Sequence, residues 1–274
     1  MTHTKEQVDE AIAISKNVIR DAFTRYRLED MVITWTGGKD SGLVLWLIRQ
    51  VCEEDGVATP RVMTIDEFDT FDEIHNFMET HAREWGLKLD WRRNDDVIRA
   101  AGEKLDAKVL VKDLSARNQA ELERIGYELD AFPFEAESYV GNHLMKTVVF
   151  NLYLEETQKK AVFQGLRRDE QAARVGDEYF EAKAADHLIP GHMRIKPILH
   201  FTERLLWDTY RLYDIPYCSL YEQGYRSLGA KTTSAIAEQG VPAWEQDLEN
   251  TEERAGRRQD KEKMMARLRK LGYM

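Results

Sequence analysis

The stretch Val32–Trp46, VITWTGGKDSGLVLW, is the first place where residue types and spacing suggest chemistry. Apolar and β-branched residues run into Gly37 and Gly38, and Lys39, Asp40 and Ser41 then lead into a second apolar series. Glycines reach dihedrals closed to other residues and let backbone N–H groups approach a ligand. Ser41 opens a helix, where free N–H groups and the dipole favour an anion. Lys39 adds a charge and Ser41 a hydroxyl donor. The plain alternative is a tight strand–helix turn with no ligand, and the Lys-Asp-Ser continuation favours the cradle over it. Two common phosphate motifs are excluded by spacing: there is neither G-x-x-x-x-G-K-S/T nor G-x-G-x-x-G. Asp40 has two readings, a Mg2+ ligand beside phosphate oxygens or a cap on its own helix.

Further along, GLRRDEQAAR (165–174) places Arg167, Arg168 and Arg174 after an apolar strand, with Asp169 beside them. Guanidinium forks match phosphate or sulfate oxygens bidentately. Alone, such a charge run reads as a solvated turn. Following a strand, in a chain that also has the glycine turn, it reads as part of a pocket. His187, His192 and His200 are spaced by five and eight residues, which fits no usual zinc pattern. Cys52 and Cys218 are the only cysteines, too few and too far apart for a disulfide framework, a zinc ribbon or a cysteine-ligated iron–sulfur cluster. Cys218 sits in an apolar turn and reads as a core residue.

The elements that must position these residues follow from periodicity. Residues 4–27 read as an amphipathic helix, opened by a Thr4/Gln7 capping box. A short strand covers 31–35, and the helix 41–51 is apolar on nearly every face, hence buried. Strands at 61–65, 87–91, 161–165 and 194–199 alternate with helices at 72–85, 95–104, 142–159 and 202–213. The stretch 105–138 has no clear period. Alternation of this kind predicts a parallel sheet covered on both faces. One α/β domain over 1–235 is expected, with a charged tail, an amphipathic helix or arm, over 236–274.

Composition sets the outer limits. The 274 residues are 43% hydrophobic, enough for a large core. No apolar run is long enough for a membrane span, and charges run through residues 1–30, so neither a membrane nor a secretory route is expected and the cytoplasm is the default. A net charge of −10 argues against nucleic acid and, with local arginine clusters, for a small polyanion.

With these residues in view, TGGKDS resembles the S-G-G-x-D-S signature of the PP-loop ATP pyrophosphatases, Thr36 replacing the leading Ser. GLRRDEQAAR resembles the G-x-R-R-D-E-x-x-x-R segment shared by the ATP sulfurylase small subunit and phosphoadenylyl-sulfate reductases. KPILHFTERLLWDTY (196–210), IPYCSLYEQGYRSLGAKTTS (215–234), HLMKT (143–147) and the ending from Glu253 resemble further segments of that branch. The resemblance implies a five-stranded parallel sheet with helices on both faces, adenine-nucleotide α-hydrolase-like, with a helical or irregular C-terminal extension. It implies ATP as substrate with Mg2+, sulfate or a similar oxyanion as acceptor, and adenylyl sulfate and pyrophosphate as products. It implies catalytic roles for Lys39, Arg167 and Arg168. ATP contacts are implied at Trp35, Thr36, Gly37, Gly38, Asp40, Ser41, Asp66, Lys146, Gly165, Asp169 and Arg174, and His143 falls in the same patch as Lys146. A GTPase large subunit, or a second copy of the chain, is the implied partner. Other branches remain open: a reductase-like or sulfurtransferase enzyme, an FAD synthetase-type adenylyltransferase, or a nucleotide-binding subunit without turnover. In the reductases of that branch the nucleophilic cysteine lies near the C-terminus, and no cysteine follows Cys218 in this sequence, which ends KLGYM. In the iron–sulfur variants a cysteine is expected where Ala230 and Lys231 stand, so reductive chemistry with a thiol at its usual place is not expected. No iron–sulfur cluster is implied.

Overall fold

The computed structural model describes residues 2–171, 174–251 and 253. The chain opens with α1 (Lys5–Arg25), whose capping box forms as expected: the Thr4 side chain accepts from Gln7 N, and the Gln7 side chain from Thr4 N. Next come β1 (Met31–Thr34), α2 (Lys39–Asp55), β2 (Arg61–Ile65), α3 (Asp72–Glu84) and β3 (Leu89–Arg92). After an inserted region, β6 (Ala161–Phe163), β7 (Phe180–Lys183), β8 (His192–Ile195) and α8 (Glu203–Leu212) complete the fold.

The main sheet has the order β3-β2-β1-β6-β8-β7. The first five strands are parallel, with Val32 facing Arg61 on one side and Val162 on the other. The sheet therefore has six strands where five were expected. The sixth, β7, pairs antiparallel with β8, Glu181 opposite Arg194. Its FEAK sequence carries no strong strand signal; it exists because the β8 edge needs a partner. The expected strand 194–199 is shifted to His192–Ile195; Lys196 N still donates to Tyr179 O, and Pro197, which lacks an N–H, comes next.

Helix α2 is buried on nearly every side, with Leu43, Val44, Leu45, Leu47 and Ile48 inaccessible, because α1, α8 and the sheet all pack on it. That burial explains its all-apolar sequence. The unreadable middle is a small second core. There α4 (Asp95–Ala100), α5 (Ala116–Arg124) and an antiparallel pair, β4 (Lys108–Leu110) with β5 (Ala131–Pro133), bury Val97, Val109, Leu122 and Phe132. The single helix expected over 142–159 is three pieces: α6 (Tyr139–Asn142), a π-helical turn (His143–Val148) and α7 (Val149–Thr157). π-Helical turns cluster at functional sites.

The strand order places function before any side chain is considered. The chain runs outward from β1 through β2 to β3, then returns to the other side of β1 at β6. Open α/β sheets bind ligands beyond the carboxyl ends of the strands at such a reversal. The turn after β1 and the loop after β6 flank that point. The tail past residue 253, with Arg254, Arg257, Arg258 and the expected helix or arm, lies outside the described residues.

Candidate active site

The glycine turn is built by close approach. Gly37 has φ +73°, and a Cβ there would meet Ile74 Cγ2 at 2.6 Å. Gly38 is extended and N-caps α2. The turn is tied to its helix through Ser41, whose Oγ accepts from Thr36 N at 3.1 Å and lies 3.1 Å from Thr36 Oγ1. The β6 loop docks on the same first turn: a Cβ on Gly165 would lie 2.5 Å from Ser41 N, so only glycine fits. Tyr210 OH donates to Lys39 O at 2.6 Å, and Lys39 N donates to Tyr221 OH at 2.8 Å. Three segments far apart in sequence thus fix one helix start.

Lys39 is 2% exposed and points inward. Its Nζ donates to Arg226 O at 2.9 Å and to Glu253 Oε1 at 2.5 Å, with Glu203 Oε1 at 3.6 Å. Burial opposes its charge, but Glu253, Asp40 and Glu203 together hold its pKa above the ordinary amine value. Arg167 is fully buried; its guanidinium contacts Asp40, donates to Asp169 Oδ1 at 2.8 Å and donates to Glu253 Oε2 at 2.6 Å. Here too burial opposes and Asp40, Glu253 and Asp169 prevail, so the group stays charged. Asp169 also accepts from Glu203 N at 2.7 Å, anchoring α8, and Glu203 holds Arg226 through paired contacts near 3 Å. Arg174 pairs with Glu170 at 2.6 Å.

Two cavities meet here. The smaller, about 220 Å³, is walled by Gly38, Lys39, Asp40, Ser41, Gly165, Arg174 and Glu253, among others. The larger, about 450 Å³, continues over the sheet face beneath the π turn and α7; Thr34, Met63, Lys146, Phe150, Gln164 and His192 line it. Thr34, Thr36, Gln164 and Leu228 belong to both. Among the described residues, Gln164 Oε1, Thr147 Oγ1 and His192 Nε2 are buried at this larger cavity without a hydrogen-bond partner. Buried polar atoms left unpaired call for a ligand or water. His192 Nδ1 lies 2.8 Å from Pro190 O, and burial lowers its pKa, so the ring is neutral with Nε2 as an acceptor.

Most expected site residues converge, and some do not. Thr36, Gly38, Lys39, Asp40, Ser41, Gly165, Arg174 and Lys146 line the cavities. Gly37 shapes the turn from beneath. Arg167 and Asp169 stand behind the wall, covered by Asp40 and Glu253. Lys146 bonds Glu67 at 2.9 Å and Glu137 at 3.3 Å. Arg168 turns away from its neighbour; it donates to Asp177 O at 2.8 Å and lies over the Tyr179 ring. Trp35 packs in the core against Phe77 and Trp85. Asp66 holds its own turn, accepting from Phe68 N at 2.9 Å. His143 is buried 3.1 Å from Glu121, and burial lowers its pKa. His187 is exposed, and His200 lies 3.1 Å from Ala11 O. Cys52 and Cys218 are free and buried, lining neither cavity.

Glu203, Tyr210, Tyr221, Arg226 and Glu253 were not legible as site residues. All five lie in segments that carry the family resemblance, Glu203 and Tyr210 in 196–210, Tyr221 and Arg226 in 215–234 and Glu253 at the start of the ending, which is the available signal.

A mostly parallel sheet, a glycine turn opening a helix at the strand reversal and a buried Lys–Arg pair beside it mark an α/β protein of the PP-loop class. The chain belongs to the phosphoadenosine phosphosulfate reductase domain family, whose model matches residues 30–236. It is 25% identical over 245 residues to sulfate adenylyltransferase subunit 2 of Brucella anthropi, covering 82% of this chain and 68% of the relative. The subunit 2 of Trichlorobacter lovleyi is 25% identical over 240 residues, with 81% and 68% covered. The fold is also that of Candida glabrata FMN adenylyltransferase solved with ATP, at a TM-score of 0.64 and 18% identity, over 93% of this chain and 89% of that one.

Proposed function

We propose that the chain is an adenylyltransferase that moves AMP from ATP to an oxyanion such as sulfate, most like the sulfate adenylyltransferase small subunit. The observation that carries the proposal is the Gly37–Gly38–Lys39–Ser41 cradle at the strand reversal, opening onto a larger cavity with unpartnered polar atoms. The smaller cavity suits the β- and γ-phosphates, held by backbone N–H groups, Lys39 and Arg174. The larger cavity suits the nucleoside, whose hydroxyl and amino donors answer the acceptors Gln164 Oε1 and His192 Nε2. An acceptor oxygen attacks the α-phosphorus, the bond to the α–β bridging oxygen breaks, and its electron pair leaves with pyrophosphate. No covalent enzyme intermediate is required; preorganised donors stabilise the charge as it builds.

Mg2+ would enter with the phosphates and neutralise part of their charge. Asp40 lines the cavity, but its oxygens face Arg167 and Lys39, so Mg2+ would share that carboxylate with two cations and rely on the phosphate oxygens; among the described residues no group of three or more candidate ligands forms a dedicated cage. No helix among the described residues is long and apolar enough to cross a membrane, and a cytoplasmic setting, with a GTPase large subunit or a second copy as partner, belongs to the proposal. A second reading, an FAD synthetase-type enzyme with a flavin acceptor, is favoured by the size of the larger cavity and by Trp91 and Phe150 on its wall. Pyrophosphate release from ATP with sulfate and with FMN, in the parent and in Lys39→Met, tests both. Release that depends on sulfate supports the first reading, release that depends on FMN supports the second, and release indifferent to Lys39 removes the cradle from either.

A further inference from the structure

The described C-terminal residues lead to the smaller cavity, and Glu253 lines it. Arg226 clamps them: its Nη1 donates to Asp247 O at 3.3 Å and to Thr251 Oγ1 at 2.5 Å, and its Nη2 donates to Thr251 O at 3.1 Å. Two residues on, the Glu253 carboxylate divides its oxygens between the two buried cations, Oε1 on Lys39 and Oε2 on Arg167. Burial works against that carboxylate's charge, yet Lys39 and Arg167 hold its pKa far below the ordinary range. Glu253 belongs to the cavity wall and Arg167 does not, so the carboxylate stands between Arg167 and any ligand.

Two negatively charged oxygens bridging a lysine and an arginine beside a helix start reproduce how a phosphate group is held. We infer that Glu253 is an internal stand-in for a phosphate, occupying the cradle in the empty protein and yielding it to pyrophosphate or a triphosphate. The inference rests on the cradle being the phosphate site proposed above. Such a residue sets specificity. An incoming anion must replace a buried, doubly paired carboxylate, so a diphosphate or triphosphate succeeds where a single small anion does not. While in place, Glu253 adds to the counter-charge that Asp40 and Asp169 give Arg167 and that Asp40 and Glu203 give Lys39.

A state open to ligand only part of the time lowers apparent affinity by that fraction. Removing the competitor therefore raises affinity. Calorimetric titration of inorganic pyrophosphate into the full chain, Glu253→Gln and Glu253→Ala tests this. Both variants are expected to bind pyrophosphate about tenfold tighter than the parent, as for a cradle filled by Glu253 nine-tenths of the time. They should also melt lower when empty and recover with pyrophosphate. Equal or weaker binding by folded Glu253→Gln overturns the inference and makes Glu253 a fixed part of the site. If the alanine variant does not fold, Glu253→Gln carries the comparison, since it keeps hydrogen-bonding capacity and loses only charge. In the parent, saturating pyrophosphate should speed hydrogen exchange over residues 247–251; unchanged or slower exchange contradicts displacement. Tighter binding without adenylylation of any acceptor upholds the inference and fails the proposed function, and adenylylation with unaltered affinity does the reverse.

Discussion

Gly37 and Gly38 are adjacent, but the structure makes different demands of them, and that difference is a sharp prediction. At Gly37 the backbone is left-handed, with φ +73°. A side chain there costs about 1–2 kcal/mol in backbone strain. An added Cβ would also lie 2.6 Å from Ile74 Cγ2 and 3.1 Å from Met78 Sδ, both core side chains of α3. Overpacking of that kind costs about 1–3 kcal/mol. Gly37→Ala should therefore lose roughly 2–5 kcal/mol, a fall in melting temperature of about 4–20 °C at 2–4 °C per kcal/mol. At Gly38 the backbone is ordinary, and the nearest atoms to an added Cβ are Thr36 Oγ1 at 3.4 Å and Tyr221 OH at 3.6 Å. Gly38→Ala should melt within about 0.5 kcal/mol of the parent. Gly38→Val should fold as well, but its methyls fill the cradle. ATP at a hundred times its dissociation constant stabilises the parent by about 2.7 kcal/mol, and that gain should vanish in Gly38→Val. Thermal unfolding with and without ATP and Mg2+ reads all four proteins. A Gly37→Ala protein that melts with the parent, or a Gly38→Val protein that keeps the full ATP shift, refutes the reasoning.

Arg167→Ala leaves Asp40, Asp169 and Glu253 short of their shared cation and should cost about 3–5 kcal/mol in urea unfolding, while Arg167→Lys restores part, keeping the charge but not the fork. Arg168→Ala, which lines neither cavity, should leave ATP affinity in calorimetry at the parent value; a marked loss would bring Arg168 back into the site. Cys52→Ala/Cys218→Ala should keep adenylyl transfer at the parent rate apart from packing losses, and a folded Cys218→Ala without activity would revive the sulfurtransferase alternative. Burial disfavours the Glu181 carboxylate's charge, but hydrogen bonds from Lys183 and Lys196 hold its pKa down at about 2, against an ordinary 4.5. Its contribution to stability is thus complete above pH 4.5 and lost as pH falls towards 2, so Glu181→Gln should flatten that limb of the stability profile, and an unchanged limb would contradict the pairing.

Much of this site is legible in sequence where one short segment carries the whole message. Strand, two glycines, Lys39 and the apolar α2 lie together, and local rules suffice to read them. The start of β8 slipped by two residues because Arg194, Ile195 and Lys196 alternate charged and apolar as a strand does, while His192 and Met193 carry no such signal; at the other end Pro197 has no donor to continue the ladder. Strand β7 left no trace, since an edge strand borrows its stability from its neighbour. The π turn at His143–Val148 and the split of the expected helix around it arise from packing against the second core, not from local preference. Arg167 and Arg168 show the limit most clearly. The sequence offers them as a pair, and the fold turns one towards Asp40 and the other towards Tyr179. Glu203, Arg226 and Glu253 were out of reach for a related reason: a charged residue becomes part of a buried network only once the chain has folded its partners against it.

The central claim is that this cradle holds ATP so that the α–β bond is the one broken. Incorporation of labelled pyrophosphate into ATP tests it most directly, because exchange is visible even when the forward reaction is uphill. With Mg2+ and sulfate, label should enter ATP in the parent and fail to enter in Lys39→Met. Label that stays out of ATP with every acceptor tried, while ATP is cleaved to ADP and phosphate, would contradict the account.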